Sequence, residues 1–293
     1  MSFSVFTDSS SNITPDLANQ YDISIVPLTY EIDGELHSAY ETDFDGHSFY
    51  DRLRHRSSVK TSMVNEEAFL RAFEPVVSAG NDIIYLAMSS GISGTVQAAR
   101  LAAEELAQRY RDRRVIVRDT LAASFGEGLF ALEVSRMRQL GQSLEQATHW
   151  VDDHVMRMNQ IFTVDDLIHL RRGGRISGIS ALIGTLANVK PILYGDREGR
   201  IALREKLIGR KSSLKVIAKR FSEQVENAEE QMIAIAHGDC EEDANYLVSL
   251  IRQRFPKQRV LVRCYEPGTG AHVGPGAVAL FFFGKERRAT YAR

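Results

Sequence analysis

The sequence predicts an α/β protein of two domains, an N-terminal α/β/α domain around a parallel sheet and a smaller mixed α/β domain after it. The chain has 293 residues, which is long for a single compact core. In its first half, short apolar runs alternate with helical segments, an order typical of a parallel sheet with helices on both faces. The character of the sequence changes near residue 158, so we expect domains at 1–158 and 159–293.

The first half supplies the strands and helices of the predicted parallel sheet. Residues 23–32 are extended, and Asp33-Gly34 predicts a hairpin into 35–38. The stretch "VKTS" at 59–62 is interpreted as a loop. Thr14 and Asn65 are expected helix N-caps. We predict strands at 3–7, 82–87 and 114–119, and helices at 13–21, 45–55, 66–79, 95–110 and 124–140.

The second half has a less regular pattern. After a helix at 143–158 and a strand in "QIFTV", the stretch "DDLIHLRRGGRISGISALIGTLANVKPILY" mixes a short helix, a double glycine and a small-residue apolar helix. Two strands should flank the turn "DREGR". His272 is placed in a glycine-rich loop before the last strand. The remaining elements are helices at 211–227 and 240–254 and strands at 231–236, 259–265 and 277–283.

Composition and charge restrict the class of protein. The chain contains only Cys240 and Cys264, has no evident secretory signal and has no apolar run long enough for a membrane span, so we expect a cytoplasmic protein. Residues 171–220 carry 13 basic side chains against three acidic ones, whereas the whole chain has a net charge of −2. This basic segment is either a solvated face or a surface for an anionic partner. The absence of a recognition motif argues against a nucleic-acid binder.

A serine- and glycine-rich stretch, "SSGISGT" at 89–95, lies between a predicted strand and a predicted helix. A helix N-terminus at the carboxyl end of a parallel strand favours an anion, and Gly91 and Gly94 allow close approach of the backbone. The stretch is neither a Walker A loop, nor G-x-G-x-x-G, nor a nucleophile elbow. Further polar side chains at predicted strand ends and loops are Asp8, Ser9, Thr61, Ser62 and Asp119. Together they suggest a hydroxyl-lined pocket for a carboxylate or a small phosphate.

Motifs along nearly the whole chain resemble the DegV family of bacterial fatty-acid-binding proteins. They are "TDSSSNIT" at 7–14, "KTS" at 60–62, "SSGISGT" at 89–95, "DT" at 119–120 with "SFGEG", "FTVDDLIHLRRGGRIS" at 162–177, "KPIL" at 190–193, "GRK" at 209–211 and "HVGPGA" at 272–277. The chain departs from the family at Met63-Val64, where Gln-Pro is usual, and at Asn12-Ile13, where Asp-Leu is usual.

The resemblance implies a two-domain α/β fold that buries a long-chain fatty acid with its carboxylate near the domain junction. On the family pattern, Thr61 and Ser93, with Gly94 beside them, hold the carboxylate, and His272 and Arg204 lie next to it. Some members present the lipid to a separate ATP-binding kinase subunit, which makes the acyl phosphate. The absence of a nucleotide loop and of a metal constellation here agrees with a partner that supplies ATP.

One alternative function remains open from the sequence. Ser93 could act as the nucleophile of a stand-alone hydrolase or phosphatase, with His272 as its base. A metal site on the helix "HWVDDH" is disfavoured because His149 and His154 are five residues apart, which is a poor spacing for one helix face. We therefore expect no bound metal or cofactor and a fatty acid as the ligand.

Overall fold

The computed structural model describes residues 3–42, 44–176 and 188–287. The strands are β1 (Phe3–Asp8), β2 (Ile23–Val26), β3 (Thr29–Ile32), β4 (Glu35–Ser38), β5 (Val59–Ser62), β6 (Asp82–Ala87), β7 (Val115–Asp119), β8 (Met158–Thr163), β9 (Val189–Gly195), β10 (Ile201–Ile208), β11 (Met232–His237), β12 (Arg259–Cys264) and β13 (Val278–Phe283). The helices are α1 (Pro15–Tyr21), α2 (Gly46–Arg54), α3 (Glu66–Ser78), α4 (Thr95–Arg109), α5 (Phe125–Gln139), α6 (Leu144–His154), α7 (Ile168–Arg172), α8 (Arg210–Gln224), α9 (Glu241–Arg254) and α10 (Pro267–Val273).

The predicted parallel sheet is present in the first half, with strand order β2-β1-β6-β7 and every pairing parallel. All residues of β6 are buried. Since successive side chains of a strand point to opposite faces, both faces of this sheet are covered. Helices α3 and α4 pack against each other over β6 and β7, and α5 and α6 form a second pair on the sheet.

A small antiparallel sheet of order β4-β3-β5 stands beside the parallel one. The predicted hairpin between β3 and β4 is confirmed. The interpretation of "VKTS" as a loop is wrong, because these residues form β5 and pair with β3, with Thr61 opposite Tyr30. The stretch 59–62 is only four residues long and shows neither a turn signal nor a clear alternation of apolar and polar side chains. It therefore gave no local indication that it pairs with the distant strand β3.

The second half forms a mixed six-stranded sheet of order β10-β9-β8-β13-β11-β12, as the predicted fold class requires. Only the β11–β12 pair is parallel among the described pairings of this sheet. Helices α8 and α9 cover one face with an apolar cluster that includes Phe221 and Phe282, whose ring centroids are 4.9 Å apart.

Helix α5 joins the two halves, because it contacts strands of both large sheets. Its Phe125 lies 6.5 Å from Phe281 of β13, and its Phe130 lies 5.1 Å from Phe283, measured between ring centroids. One continuous apolar core therefore runs from the parallel sheet to the inner face of the mixed sheet. The division into domains at residue 158 stays a prediction.

Two local predictions in the second half need correction. The glycine-rich "loop" that carries His272 is the helix α10, which begins after Glu266 and ends at Val273. The helix predicted to reach residue 158 ends at His154, and a 3-10 turn at Val155–Arg157 leads into β8. Most of the predicted small-residue apolar helix lies outside the described residues. Among the described helices, none is long and apolar enough to cross a membrane.

Candidate functional site

A narrow cavity lies between the carboxyl ends of β6 and β7 and the inner face of the mixed sheet. Its volume is about 90 Å³. Most of its wall is apolar and comes from both halves of the chain, including Leu28, Met88, Ile92, Phe162, Val273 and Phe281. A long apolar ligand could bury its surface here.

A polar contact between β5 and α10 occupies part of this wall. Thr61 Oγ1 lies 2.8 Å from His272 Nε2, and both residues line the cavity together with Ser62. Burial lowers the pKa of His272 to about 4, and the neighbouring charges of Arg175 and His169 add to this effect. The imidazole is therefore neutral at pH 7 and offers a hydrogen-bonding group without a net charge.

Glycines allow α10 to lie directly against the segment that contains α7. A side chain at Gly173 would overlap His272 Nδ1, and one at Gly274 would overlap the ring of His169. Gly274 also has φ +76°, a conformation that favours glycine. The motifs "DDLIHLRRGG" and "HVGPG", which are far apart in sequence, thus form a single packed unit around His272.

The loop before α4 brings Ser93 to the same cavity. Ser93 Oγ lies 2.9 Å from Thr95 Oγ1 and accepts a hydrogen bond from Thr95 N at 3.3 Å. Gly94 is the N-cap residue of α4, and a side chain there would meet Met63 Sδ at 2.8 Å. Met63, one of the departures from the family pattern, therefore links the loop after β5 to the start of α4.

The turn between β9 and β10 closes the cavity over the same loop. Ser89 Oγ donates to Gly199 O at 2.8 Å, and Gly91 is so close to the backbone of Glu198 and Gly199 that a side chain would overlap them. Asp119 fixes the neighbouring loops by accepting from Ser90 N at 3.2 Å and from Leu121 N at 3.0 Å. The roles of Gly91 and Asp119 visible here are structural supports of the wall.

Asp8 and Ser9 do not line the cavity but hold the loop after β1. Asp8 accepts from Ser10 N at 2.9 Å and from the hydroxyl of Tyr85 at 2.6 Å, while Ser9 Oγ accepts from Leu28 N at 2.9 Å. Ser10 Oγ also lies 3.0 Å from Glu127 Oε2, within a cluster that has no water contact. Complete burial beside Asp8 raises the pKa of Glu127 well above its usual range.

The arginines that line the cavity are not Arg204, which the family pattern implied. Arg175 and Arg200 are in its wall, whereas Arg204 lies on β10 at an irregularity in the pairing with β9 and is not among the described lining residues. Arg175 Nε donates to Ile92 O at 3.3 Å, so it connects the loop of Ser93 with the His272 region. The signal for Arg175 was its place in the "RRGGR" motif.

A second, outer cleft lies on the other side of the Thr61–His272 contact. It has a volume of about 480 Å³ and shares Thr61, Arg175 and His272 with the inner cavity. We call it the basic cleft, because its further lining includes Arg56, Lys60 and Arg172, all exposed. Lys60 of this cleft pairs with Glu31 at 3.4 Å. Several other cations of the basic segment are also paired, among them Lys190 with Asp165, Arg210 with Asp243 and Arg220 with Glu205.

The arrangement offers little for a serine hydrolase. His272 Nε2 contacts Thr61, and the hydroxyl of Ser93 contacts Thr95, so no hydrogen bond joins Ser93 to His272. Within the described ranges, no group of three or more metal-ligating side chains could hold a metal ion. His149 of the "HWVDDH" helix instead pairs with Asp153 at 3.3 Å.

The fold is a two-sheet α/β architecture with a largely apolar cavity where the two halves of the chain meet. A family model described as "Uncharacterised protein, DegV family" matches residues 2–285. The chain is 38% identical to a DegV domain-containing protein of Clostridium perfringens over 283 residues, which cover 96% of this chain and 97% of that protein. The chain therefore belongs to the DegV family.

Solved structures of this family closely resemble the structure of this chain. A DegV family protein from Thermus thermophilus, described by its fatty acid binding, has a TM-score of 0.87 and 29% identity and covers 97% of this chain and 100% of its own. DegV of Bacillus subtilis, described as a fatty acid binding protein, has a TM-score of 0.84 and 28% identity. The match covers 97% of this chain and 100% of that protein. Fatty acid binding is thus a property of relatives with this fold.

Proposed function

We propose that this protein binds a long-chain fatty acid, with the carboxylate at Thr61 and Ser93 beside His272, and presents it to a separate ATP-dependent kinase subunit. The observation that carries the proposal is the position of the Thr61–His272 contact, which faces an apolar channel on one side and the basic cleft on the other. The tail would enter the channel, and the head group would stay within reach of the cleft.

The apolar channel supplies the affinity for the tail. Burial of each methylene is worth about 0.8 kcal/mol, so about 14 of them give roughly 11 kcal/mol before ordering costs. The head group opposes binding, because an unpaired buried carboxylate costs several kcal/mol. The hydroxyls of Thr61 and Ser93 and the guanidinium of Arg175 offset this cost, since a hydrogen bond to a charged group contributes about 1.5–3 kcal/mol.

The reaction that follows needs no general base from this chain. A carboxylate oxygen attacks the γ-phosphorus of ATP held by the partner, a P–O bond forms, and the bond to ADP breaks, which leaves acyl phosphate and ADP. Phosphoryl transfer depends mainly on position and charge neutralisation, and the cations of the basic cleft lie where the new phosphate would face. We place this function in the cytoplasm, in keeping with the free thiols of Cys240 and Cys264.

Lipid binding is tested by calorimetry with palmitate, stearate and oleate after organic extraction of co-purified lipid. Replacement of Thr61 by Val or of Ser93 by Ala should weaken binding about 10- to 100-fold, because each change removes one donor to a buried carboxylate. Ser90→Ala is the matched control, since Ser90 is an exposed serine of the same loop outside the cavity wall. A folded protein without affinity for any of the three acids would overturn the proposal.

Presentation to a kinase is tested separately, with fatty acid, Mg²⁺ and radiolabelled ATP in the presence or absence of a fatty acid kinase subunit. Acyl phosphate should form only with the subunit. Arg172→Glu in the basic cleft should raise the subunit concentration needed for half-maximal rate and reduce its salt dependence, with Arg252→Glu on α9 as the control. Acyl phosphate without the subunit, or ester hydrolysis that depends on Ser93, would favour a stand-alone enzyme instead.

A further inference from the structure

A buried arginine late in the chain joins three segments that are far apart in sequence. Arg287 is 2% exposed, and its Nη1 donates to Leu121 O at 3.1 Å and to Asp196 O at 2.8 Å. Its Nη2 donates to Val155 O at 2.9 Å. One guanidinium thus connects the loop after β7, the turn between β9 and β10, and the 3-10 turn before β8.

Burial makes these contacts of Arg287 demanding. The described hydrogen bonds of the guanidinium all go to backbone carbonyl oxygens, and its Nε is buried without a partner in the described residues. Burial lowers the pKa of Arg287 to about 10, although the charges of Asp196 and Asp119 oppose this effect, so the side chain is a cation at pH 7. Because a buried cation is destabilising unless its hydrogen bonds are made, Arg287 favours the arrangement that keeps the three carbonyls in place.

The two carbonyls that Nη1 bridges belong to walls of the inner cavity from different halves of the chain. In the first half, Ala122 follows Leu121 and lines the cavity. In the second half, Gly195 and Gly199 line it from the turn between β9 and β10. Arg287 is not among the described lining residues, so it acts on the cavity only through the positions of these walls.

The turn between β9 and β10 is an outer part of this enclosure. β10 is an edge strand of the mixed sheet, and Arg197 and Glu198 of the turn are exposed. Ser89 Oγ donates to Gly199 O at 2.8 Å, so a second hydrogen bond holds the same turn to the first half of the chain. A movement of this turn away from the first half would open the cavity and would break the bridge made by Arg287.

We propose that Arg287 is a positioning residue that keeps this turn closed over the inner cavity and thereby slows both entry and release of the lipid. This inference rests on the proposed function. A ligand in a buried cavity leaves when the walls separate, and it enters through the same opening. The bridged residues do not line the cavity, so the bridge opposes opening with or without lipid. Its loss should speed both steps and change the dissociation constant much less than either rate.

Stopped-flow fluorescence measures both rates with a fluorescent polyene fatty acid as the probe, released by an excess of stearate. Arg287→Met removes the donors and keeps a long side chain. Association and release should both become about tenfold faster, as loss of one hydrogen bond from a charged group allows. Thr61→Val gives the contrast, because loss of a head-group contact should speed release alone and weaken binding.

Arg138→Met is the matched control for a buried arginine. Arg138 also donates to three backbone carbonyls, those of Phe3, Tyr21 and Asp22. Phe3 begins β1 and pairs with the first residue of β6, so these contacts lie at the end of the parallel sheet opposite to the cavity. This variant should lower the free energy of unfolding in urea and leave both lipid rates unchanged.

Hydrogen exchange tests the same restraint without a ligand. The amides of Gly199 and Arg200 donate to Asp196 within the turn and should exchange faster in Arg287→Met, but not in Arg138→Met, than in the wild type. Arg287→Lys keeps one donor group and should give smaller changes in the same direction. It takes the place of Arg287→Met if that variant fails to fold.

The outcomes separate this inference from the proposed function. Unchanged lipid rates or unchanged exchange in Arg287→Met, or rates that rise equally in Arg138→Met, overturn the inference while stearate binding still supports the proposed function. Faster release with unchanged association also overturns it, because the arginine would then act on the bound state alone. Wild-type protein without affinity for any fatty acid overturns both.

Discussion

Replacement of Glu266 by Gln should remove a pH dependence of stability that arises at the start of α10. The carboxylate of Glu266 caps this helix by accepting from Gly268 N at 2.5 Å and from Thr269 N at 2.6 Å. Despite these donors, burial dominates and raises its pKa from 4.5 to about 7. Glutamine keeps one acceptor oxygen for the cap and cannot ionise.

The size of the effect follows from the shift. Between pH 4.5 and 7 the folded protein holds a proton on Glu266 that the unfolded chain has lost, so the stability contributed by Glu266 falls as pH rises. One pKa unit corresponds to about 1.4 kcal/mol, and the shift therefore amounts to about 3 kcal/mol across this window. Loss of one cap hydrogen bond in the variant should lower stability by about 1 kcal/mol at every pH.

Urea unfolding followed by circular dichroism at several pH values measures this difference. The free energy of unfolding of wild type minus that of Glu266→Gln should decrease steadily from pH 4.5 to 7 and then level off. Glu242→Gln at the exposed first turn of α9 is the control and should give a constant difference. Parallel curves for wild type and Glu266→Gln would refute the reasoning that burial keeps this carboxyl protonated.

Two further changes probe the surroundings of His272. Gly173→Ala should displace the imidazole, because the added methyl group would overlap Nδ1, and should weaken fatty acid binding at least tenfold. Gly141→Ala meets no neighbour and controls for stability in thermal unfolding; its φ of +80° strains alanine, whereas Gly173 has φ −71°, so the control is the harsher change for the backbone. His272→Asn should remove a stability change of opposite sign. Since the folded pKa of about 4 lies below the usual 6.5, His272 contributes stability that is present above pH 6.5 and is lost as pH falls towards 4, by about 3 kcal/mol in urea unfolding.

The parallel sheet was predictable because its signals are local. The apolar run of β6, the proline at the start of α1 and the cap Asn65 of α3 each depend on a few adjacent residues. The mixed sheet was predictable only as a set of strands. Its order depends on pairings such as Gln160 with Phe281, which are 121 positions apart and have no local signature.

The head-group site was predictable in part for the same reason. Serine and glycine at strand ends indicated a polar pocket, and Ser93 and Thr61 do line one cavity. The same pattern could not distinguish them from Ser9 or Asp119, whose hydrogen bonds are made within the protein. Arg175 lies outside that pattern, and only its place in the "RRGGR" motif pointed to it, because its contact with the distant loop of Ser93 is a property of the fold.

Helix α10 shows why one segment escaped prediction altogether. Its glycines argue against a helix on propensity, but Gly270 is needed where a side chain would overlap the hydroxyl of Tyr50. The helix is stabilised at its N-terminus by Glu266 and Pro267 and by the packing of its buried residues, which include Gly268, Gly270 and Val273. Tertiary contact thus outweighs local preference here, and it does so at the helix that carries His272.

Two residues at α10, the N-cap Glu266 and His272, contribute to the pH dependence of stability in opposite directions. From pH 4.5 to 6.5, Glu266 makes the fold less stable as pH rises, whereas His272 makes it more stable. Their two contributions have similar size and opposite sign, so they largely offset each other in the unliganded wild type. A bound carboxylate changes this balance, because a negative charge beside His272 raises its pKa and disfavours ionisation of any nearby acid. The balance between these two residues should therefore shift on ligand binding, and a difference in stability between wild type and His272→Asn whose pH dependence changes when fatty acid is added would report that the head group has reached α10.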